Sequence, residues 1–289
     1  MRIALATAAD WPDLSSDDHI LAAAFARLGA TATPATWTDP AVPWRDFDGV
    51  LIRSCWDYHL HPAAFRAWLA RLEAEAVPLW NPPGVVRWNL EKTYLRDVEA
   101  AGVGIVPTVW VDGDPARELS HLMADRQWPR AVVKPVISAS AHATWATTGD
   151  PAADDARFRA AASGGALMVQ QFVEEVRTVG EWSLVFIAGA FSHAVLKRPA
   201  GDDFRVQPHL GGTHVRRSPD ARLLTEAAAA LAAAPGPTLY ARVDGCDVGG
   251  RFLVMELELI EPLLFFADEP AAAERVAAEM LRASPSRKS

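Results

Sequence analysis

Cysteine is almost missing from this 289-residue chain: only Cys55 and Cys246 occur, without C-x-x-C spacing. That excludes a disulfide framework and a cysteine-rich zinc site, and leaves both as packing thiols. Long apolar runs are missing too. None approaches the roughly 20 residues that cross a bilayer, and Met1-Arg2-Ile3-Ala4-Leu5-Ala6 gives way to Thr7, Asp10 and Asp13 before a signal core can form. The expected location is cytoplasmic, with no membrane partner. Positive charge is scarce: 28 Lys and Arg face 36 Asp and Glu, a formal net charge of -8, which argues against nucleic acid held by bulk electrostatics. An anionic ligand must therefore be gripped locally. A nucleophilic hydrolase is disfavoured because no G-x-S-x-G elbow occurs, and His19, His59, His61 and His121 have no serine or cysteine nearby with triad logic. Gly102-Val103-Gly104 follows a helix and precedes a strand, the reverse of a dinucleotide fingerprint.

What is present is half apolar and long enough for one or two compact domains. Arg2 to Thr7 reads as a buried strand. Ser15-Ser16-Asp17-Asp18 then caps a helix that stops at Gly29. Strands at Ala30 to Trp37 and Gly49 to Arg53 follow, and Pro62 opens a second helix. This alternation predicts an α/β region with a parallel sheet. Asn81-Pro82-Pro83-Gly84 marks a domain boundary, since two prolines continue neither helix nor central strand. Beyond it the pattern predicts a helix from Leu90 to Ala101, strands at Val106 to Val111 and Arg130 to Val136, a polar stretch from Ser138 to Gly149, a helix around Asp155 to Ala162, and a strand Met168 to Val173. Glu181 to Ile187 and Phe191 to Lys197 read as an antiparallel hairpin. A polar loop from Arg198 to His214, an alanine-rich helix, strands Leu239 to Asp244 and Phe252 to Leu259, and a helix from Pro270 complete an α+β second half.

Val254-Met255-Glu256-Leu257-Glu258-Leu259-Ile260-Glu261-Pro262 is the most informative segment. Alternation along a strand sends Met255, Leu257 and Leu259 to one face and Glu256 and Glu258 to the other. An acidic face turned to water is one explanation. Asp244 offers a second, because a three-residue loop around Gly250 or one bulge would set it opposite Glu256. Three oxygen donors on one sheet face suit Mg²⁺, with Mn²⁺ as an alternative, and point to a nucleoside-triphosphate site. The chain prefers arginine, and two of its few lysines stand out. Lys92 lies near the domain boundary, where an ordinary surface role would suffice. Lys134 sits inside Ala131 to Val136, where a buried charge is costly unless it meets a partner such as phosphate. Ser138-Ala139-Ser140-Ala141-His142 offers N–H groups and hydroxyls over phosphates, although no G-x-x-x-x-G-K-S/T loop exists. Arg205 has the planar fork for a transferred phosphoryl group, and a solvated loop role explains it equally. Lys197 and His193 share one face of the hairpin, which permits a pocket role or a half-exposed strand.

In order, Lys92, Lys134, Gln170-Gln171-Phe172-Val173 before Gly180-Glu181, Arg205 before Gly211-Gly212, and Asp244, Glu256 and Glu258 resemble the ATP-grasp superfamily of the glutathione-synthetase type. The resemblance covers nearly the whole chain. It implies an ATP-grasp fold with an N-terminal Rossmann-like, pre-ATP-grasp domain: residues 1–85 on the substrate side, 86–173 as central and lid subdomain, 174–289 as C-terminal subdomain with the metal site. It also implies that Lys92 and Lys134 touch ATP phosphates under a Ser138 and Ser140 flap. The Gln170, Gln171, Phe172 and Val173 main chain would meet adenine, and Glu181 the ribose. Asp244, Glu256 and Glu258 would hold magnesium, and Arg205 with Lys134 would act on the transferred phosphoryl group. Two departures stand out. The usual glycine-rich flap is Ser138 to Ala141, and the usual asparagine ligand is Glu258.

Arg53-Ser54-Cys55-Trp56-Asp57-Tyr58-His59, Trp80-Asn81-Pro82-Pro83, Trp88-Asn89-Leu90-Glu91-Lys92 and Met255 to Pro262 are similar to the cyclo-ligases of D-cycloserine biosynthesis, which act on O-ureido-D-serine. Arg53, at the carboxyl end of its strand, with Ser54 and Asp57 would then recognise a carboxylate and ammonium pair, and Trp56 and Tyr58 would either line the pocket or serve only as packing. An ion pair capping the next segment explains Arg53 equally. The expected activity is ATP-dependent ligation of a small amino-acid-like carboxylate to nitrogen through an acyl phosphate, releasing ADP and phosphate; a homo-oligomer is left open. The competing class is a non-catalytic ATP-binding regulatory module.

Overall fold

The computed structural model describes residues 1–112, 117–201 and 203–283. Asp202, within the expected polar loop, therefore lies outside the described residues. The first sheet joins β1 (Arg2–Thr7), β2 (Thr31–Thr36), β3 (Gly49–Ile52) and β4 (Leu79–Trp80) in the order β2-β1-β3-β4, all parallel. Helices α1 (Ser16–Arg27) and α2 (Pro62–Ala74) connect them on opposite faces. The Ser15 hydroxyl accepts the Asp18 N–H at 3.2 Å, which fixes the start of α1. β4, a strand the sequence pattern does not predict, ends at Trp80, two residues before Pro82 and Pro83. Pro83 opens a helix, α3 (Pro83–Asn89), because a first-turn proline loses no helical hydrogen bond. The expected continuous helix from Leu90 is instead a 3₁₀ turn (Lys92–Tyr94) followed by α4 (Leu95–Ala100). That break lets the Lys92 N–H donate to Val136 O at 2.8 Å.

Next come β5 (Thr108–Val111), α5 (Leu119–Arg126), β6 (Ala131–Pro135), β7 (Trp145–Ala146), α6 (Pro151–Ala162) and β8 (Leu167–Gln171). The strands form an antiparallel sheet ordered β5-β8-β6-β7, whose outer face packs Phe158, Leu119 and Leu122 from α5 and α6. A short α7 (Glu175–Thr178) leads to the third sheet. It contains β9 (Glu181–Ile187), β10 (Ala190–Arg198), β11 (Thr213–Arg216), β12 (Tyr240–Val248) and β13 (Arg251–Glu258) in the order β11-β10-β9-β12-β13. α8 (Ala221–Ala232), capped by Asp220, and α9 (Pro270–Ala283) complete the described chain. No described helix is long and apolar enough to cross a membrane.

Strand alternation divides the third sheet cleanly. Trp182, Leu184, Phe186, Leu196, Ala241, Val243 and Leu257 point to one side and pack against α4 and α8. The opposite face has two characters along its length. Val185, Ile187, Val195 and Tyr240 meet α1 and α9 in a core shared with the first sheet, whereas the far end carries Glu181, Ser183, Lys197, Arg242, Asp244, Glu256 and Glu258. That charged end faces the second sheet across a cavity.

Candidate active site

The β12–β13 hairpin turns on Gly249 and Gly250, with φ of +56° and +80°, the conformation of a two-residue turn that matches strand twist. Asp244 nevertheless lies opposite Glu256, because the register shifts once, between Asp244 and Gly245. Met255 is the extra residue of that bulge, since Gly245 pairs with Val254. The bulge corrects one expectation: Met255 does not point away with Leu257 but lines the cavity beside Glu256 and touches the Cys246 sulfur at 3.7 Å. A side chain at Gly245 would meet Leu253 O at 2.5 Å, so the bulge requires glycine there.

The carboxylates on this wall are held by cations on the same face. Asp244 accepts Ser183 Oγ at 2.6 Å, Lys197 Nζ at 3.0 Å and both Arg242 Nε and Nη2, at 2.9 and 2.8 Å. Arg242 also pairs with Glu258, and its Nη1 donates to Leu263 O at 2.9 Å. Lys197 bridges to Glu181 at 2.5 Å, and Lys92 donates to Glu256 at 2.6 Å and to Ser138 O at 2.7 Å. Burial alone would raise the Asp244 pKa, but Arg242 and Lys197 overcome it and hold the group well below the usual carboxylate range. Glu258 goes the other way. Burial, with Asp244 and Glu256 nearby, pushes it up to about 7 against the pull of Arg242. Arg242 escaped the sequence reading although Arg242 and Asp244, two apart on a strand, must share a face; that spacing was the available signal.

The opposite wall is sparsely charged. Lys134 on β6 lines the cavity, is 9% exposed, and has no ion-pair partner among the described residues. Burial lowers its pKa. Gln170, Gln171, Phe172 and Val173 line the same wall. The Gln170 side chain donates to Thr108 Oγ1 at 3.1 Å, and the N–H groups of Gln171 and Phe172 donate to Pro107 O and Arg130 O. Ser138 and Ser140 reach the cavity from a flap in which Ser140, Ala141 and Ala143 all hold positive φ without a glycine. Its His142 ring packs against that of His59 from the first sheet's domain, 4.9 Å between centroids with the planes tilted by 54°. Arg205 lines the cavity with its fork on Asp203, whose carboxyl it lowers to about 2.

Among the substrate-side candidates, Tyr58 lines the cavity, joined by Trp11, Trp56 and Ser15. Arg53, Ser54 and Asp57 lie outside its lining. Arg53 is 2% exposed and donates to Asp18 at 2.7 Å and to Pro262 O at 3.0 Å, with Asp17 at 3.6 Å. Ser54 also donates to Asp18, and Asp57 accepts the Trp37 indole at 2.7 Å. Asp17 accepts the N–H groups of Leu264 and Phe266, so this cluster ties α1 to the segment after β13. His193 is spent on Leu264 O. Asn81 and Asn89, unassigned from sequence, pair with main-chain groups of Leu239, Tyr240, Leu257 and Leu259, and so brace the edges of the charged wall.

The cavity encloses about 680 Å³ and collects every expected metal-ligating and nucleotide-binding side chain. Its carboxylate donors are all oxygen, which suits magnesium. Among the described residues, however, no three His, Cys, Asp or Glu side chains gather closely enough to hold a metal alone. Magnesium keeps waters and substrate phosphates in its shell, so an open carboxylate wall fits it.

Two antiparallel sheets clasping this cavity beside a parallel-sheet domain define an ATP-grasp ligase. A solved D-alanine–D-alanine ligase from Bacillus anthracis complexed with ATP superposes with a TM-score of 0.71 at 15% identity, over 98% of this chain and 97% of its own. The crystal structure of D-cycloserine synthetase DcsG superposes at 0.87 with 28% identity, over 99% of this chain and all of the other. A family model described as the D-cycloserine synthetase DcsG N-terminal domain matches residues 3–81. The cycloserine biosynthesis protein DcsG of Streptomyces lavendulae is 33% identical over 259 residues, covering 82% of this chain and 83% of that protein. The chain belongs to the DcsG family of ATP-grasp ligases.

Proposed function

We propose that the chain uses ATP and Mg²⁺ to activate the carboxylate of an amino-acid-like substrate and close a C–N bond within the same molecule, as in the conversion of O-ureido-D-serine to D-cycloserine in antibiotic biosynthesis. The observation that carries this reading is Lys134: a buried cation without an ion-pair partner among the described residues, facing a carboxylate wall across a cavity. An unpaired buried charge is costly unless a ligand neutralises it, and a triphosphate does so.

Lys134, and Lys92 above Ser138, take phosphate oxygens. The main chain from Gln170 to Val173 meets the edge of adenine, and Glu181, held by Lys197, accepts from the ribose. Asp244, Glu256 and Glu258 would hold magnesium, which supplies charge neutralisation between triphosphate and carboxylate. Arg205 exchanges its fork on Asp203 for the transferred phosphoryl group. The γ-phosphoryl passes to a substrate oxygen, giving an acyl phosphate and ADP. The ureido nitrogen of the same molecule then attacks the acyl carbon, phosphate leaves, and the nitrogen loses its proton; one water then cleaves the carbamoyl group from the ring nitrogen as carbamic acid, which breaks down to CO2 and ammonia. Holding that nitrogen near the carbon supplies the effective concentration. The flap from Ser138 to Thr144 keeps water from the mixed anhydride. The same reading divides the chain into residues 1–85, 86–173 and 174–289.

The test is ATP, magnesium, O-ureido-D-serine and hydroxylamine in one assay. Hydroxamate with one ADP per trapped acyl group is expected, and Asp244→Asn should abolish both. AMP and pyrophosphate would mean adenylation. Nucleotide binding without ADP release from this or any amino-acid-like acid would leave a regulatory ATP-binding module.

A further inference from the structure

Five carboxylates line the cavity, and four are matched. Glu181 and Asp244 share Lys197, Asp244 and Glu258 share Arg242, and Glu256 has Lys92. The fifth is Glu261. It is 9% exposed, three residues beyond Glu258, and has no ion-pair partner among the described residues. No group of another described residue hydrogen-bonds its carboxyl. The cations on this side have other partners: Lys92 pairs with Glu256 and Ser138 O, Arg242 with Asp244, Glu258 and Leu263 O, and Arg53 with Asp18 and Pro262 O, its Nη1 alone being left without a partner. The Trp56 indole donates to the Glu261 carbonyl at 3.2 Å, fixing the main chain there, and Trp11 packs edge-on against Trp56 at 4.8 Å. Tyr58 is buried beside Glu261, and its hydroxyl has no hydrogen-bond partner among the described residues. Trp11, Ser15, Trp56, Tyr58 and Glu261 thus form one end of the cavity, on the side of the first sheet.

A buried carboxyl without a cation is the mirror image of Lys134, and its natural occupant has the opposite charge. We infer that Glu261 is a specificity-determining residue that accepts the α-ammonium of the substrate, with the Tyr58 hydroxyl and the Trp11–Trp56 pair closing the same subsite. This deepens the function proposed above and rests on it. The chemistry gives the contact a second use. The α-amine cannot close a ring on its own carboxyl carbon without forming a three-membered lactam. As a free base it could still capture the acyl phosphate of another molecule. Held as ammonium against Glu261, its lone pair carries a proton and it cannot attack. The intended nitrogen, farther along the side chain, then has no competitor.

The experiment compares O-ureido-D-serine with 3-(ureidooxy)propanoate, which lacks only the amine, in the unmodified chain and in Glu261→Gln. The readouts are hydroxamate formation and ADP release. The unmodified chain should lose about 30-fold in kcat/KM on the desamino acid, the order expected for a lost charge-assisted hydrogen bond. Glu261→Gln should lose a similar factor on O-ureido-D-serine, mostly through KM, yet change by no more than about 3-fold on the desamino acid, where no ammonium is present to feel it. Glu261→Asp, keeping the charge, should recover part of the loss. Equal use of both compounds by the unmodified chain overturns the inference while leaving the ligase reading intact, and that arm needs no variant to fold. Equal losses by Glu261→Gln on both compounds overturn it too, since the residue would then be structural. Turnover of neither compound removes O-ureido-D-serine as the substrate, and the inference falls with it.

Discussion

The two walls of the cavity solve the same problem in opposite ways. The β9–β10–β12–β13 wall crowds Glu181, Lys197, Arg242, Asp244, Glu256 and Glu258 together, with Lys92 arriving from outside the sheet, and nearly all of that charge is cancelled within the protein. The β6–β8 wall carries one charge, Lys134, and cancels none of it. A pre-paired network is part of the fold: ligands can borrow its oxygens, but removing a member strands a partner in low dielectric. An unpaired cation contributes little to the fold and much to a ligand. Damage to the first wall should therefore appear in stability, and damage to the second in binding.

The largest effect expected is on the paired wall. Arg242→Met leaves Asp244 and Glu258 facing each other with only Lys197 near, and should cost about 3–5 kcal/mol of unfolding free energy in urea titration. A change below about 1 kcal/mol would mean that the network is not structural. Next is Asn89→Ala, which takes the acceptor from the Leu259 N–H and one of two donors from Leu257 O, the other being the Tyr94 hydroxyl, behind the charged face. The expected loss is about 2 kcal/mol in the same titration, with wall charges untouched. The smallest is a pH effect at Glu258. A carboxyl raised from 4.5 to about 7 in the folded chain makes the unfolded state the more easily ionised one, so its contribution to stability falls as pH rises from 4.5 through 7. Glu258→Gln, which cannot ionise, should gain in melting temperature relative to the unmodified chain between pH 5 and 8, measured without nucleotide or metal. A flat difference across that range contradicts the shift.

Periodicity carries the fold well wherever one face of an element is buried. The parallel sheet, the β9–β10 hairpin and the carboxylate register of β12 and β13 all follow from alternation and turn chemistry, including the need for a bulge to bring Asp244 opposite Glu256. The short α3 was hidden because Pro82-Pro83 signals an ending and a beginning at once. Met255 was misplaced because a bulge resets alternation, and no residue pattern says where the reset falls. In the site, residue type picked out the acidic groups and Lys134. It did not pick out how they are balanced, since Arg242, Lys197 and Ser183 matter through neighbours brought in by strand pairing. Arg53 shows the converse: its place at a strand end suggested a ligand, but Asp17 and Asp18 from α1 reach it first.

Lys134 stands at the centre of this account, and calorimetric titration of Mg·ATP into the unmodified chain and into Lys134→Met tests it most directly. Binding to the unmodified chain should weaken by at least about 30-fold in the variant, the order of a lost charge-assisted phosphate contact, while the urea midpoint holds or rises because a desolvated cation has been removed. Equal affinity in the two proteins, or no heat from the unmodified one, would contradict it.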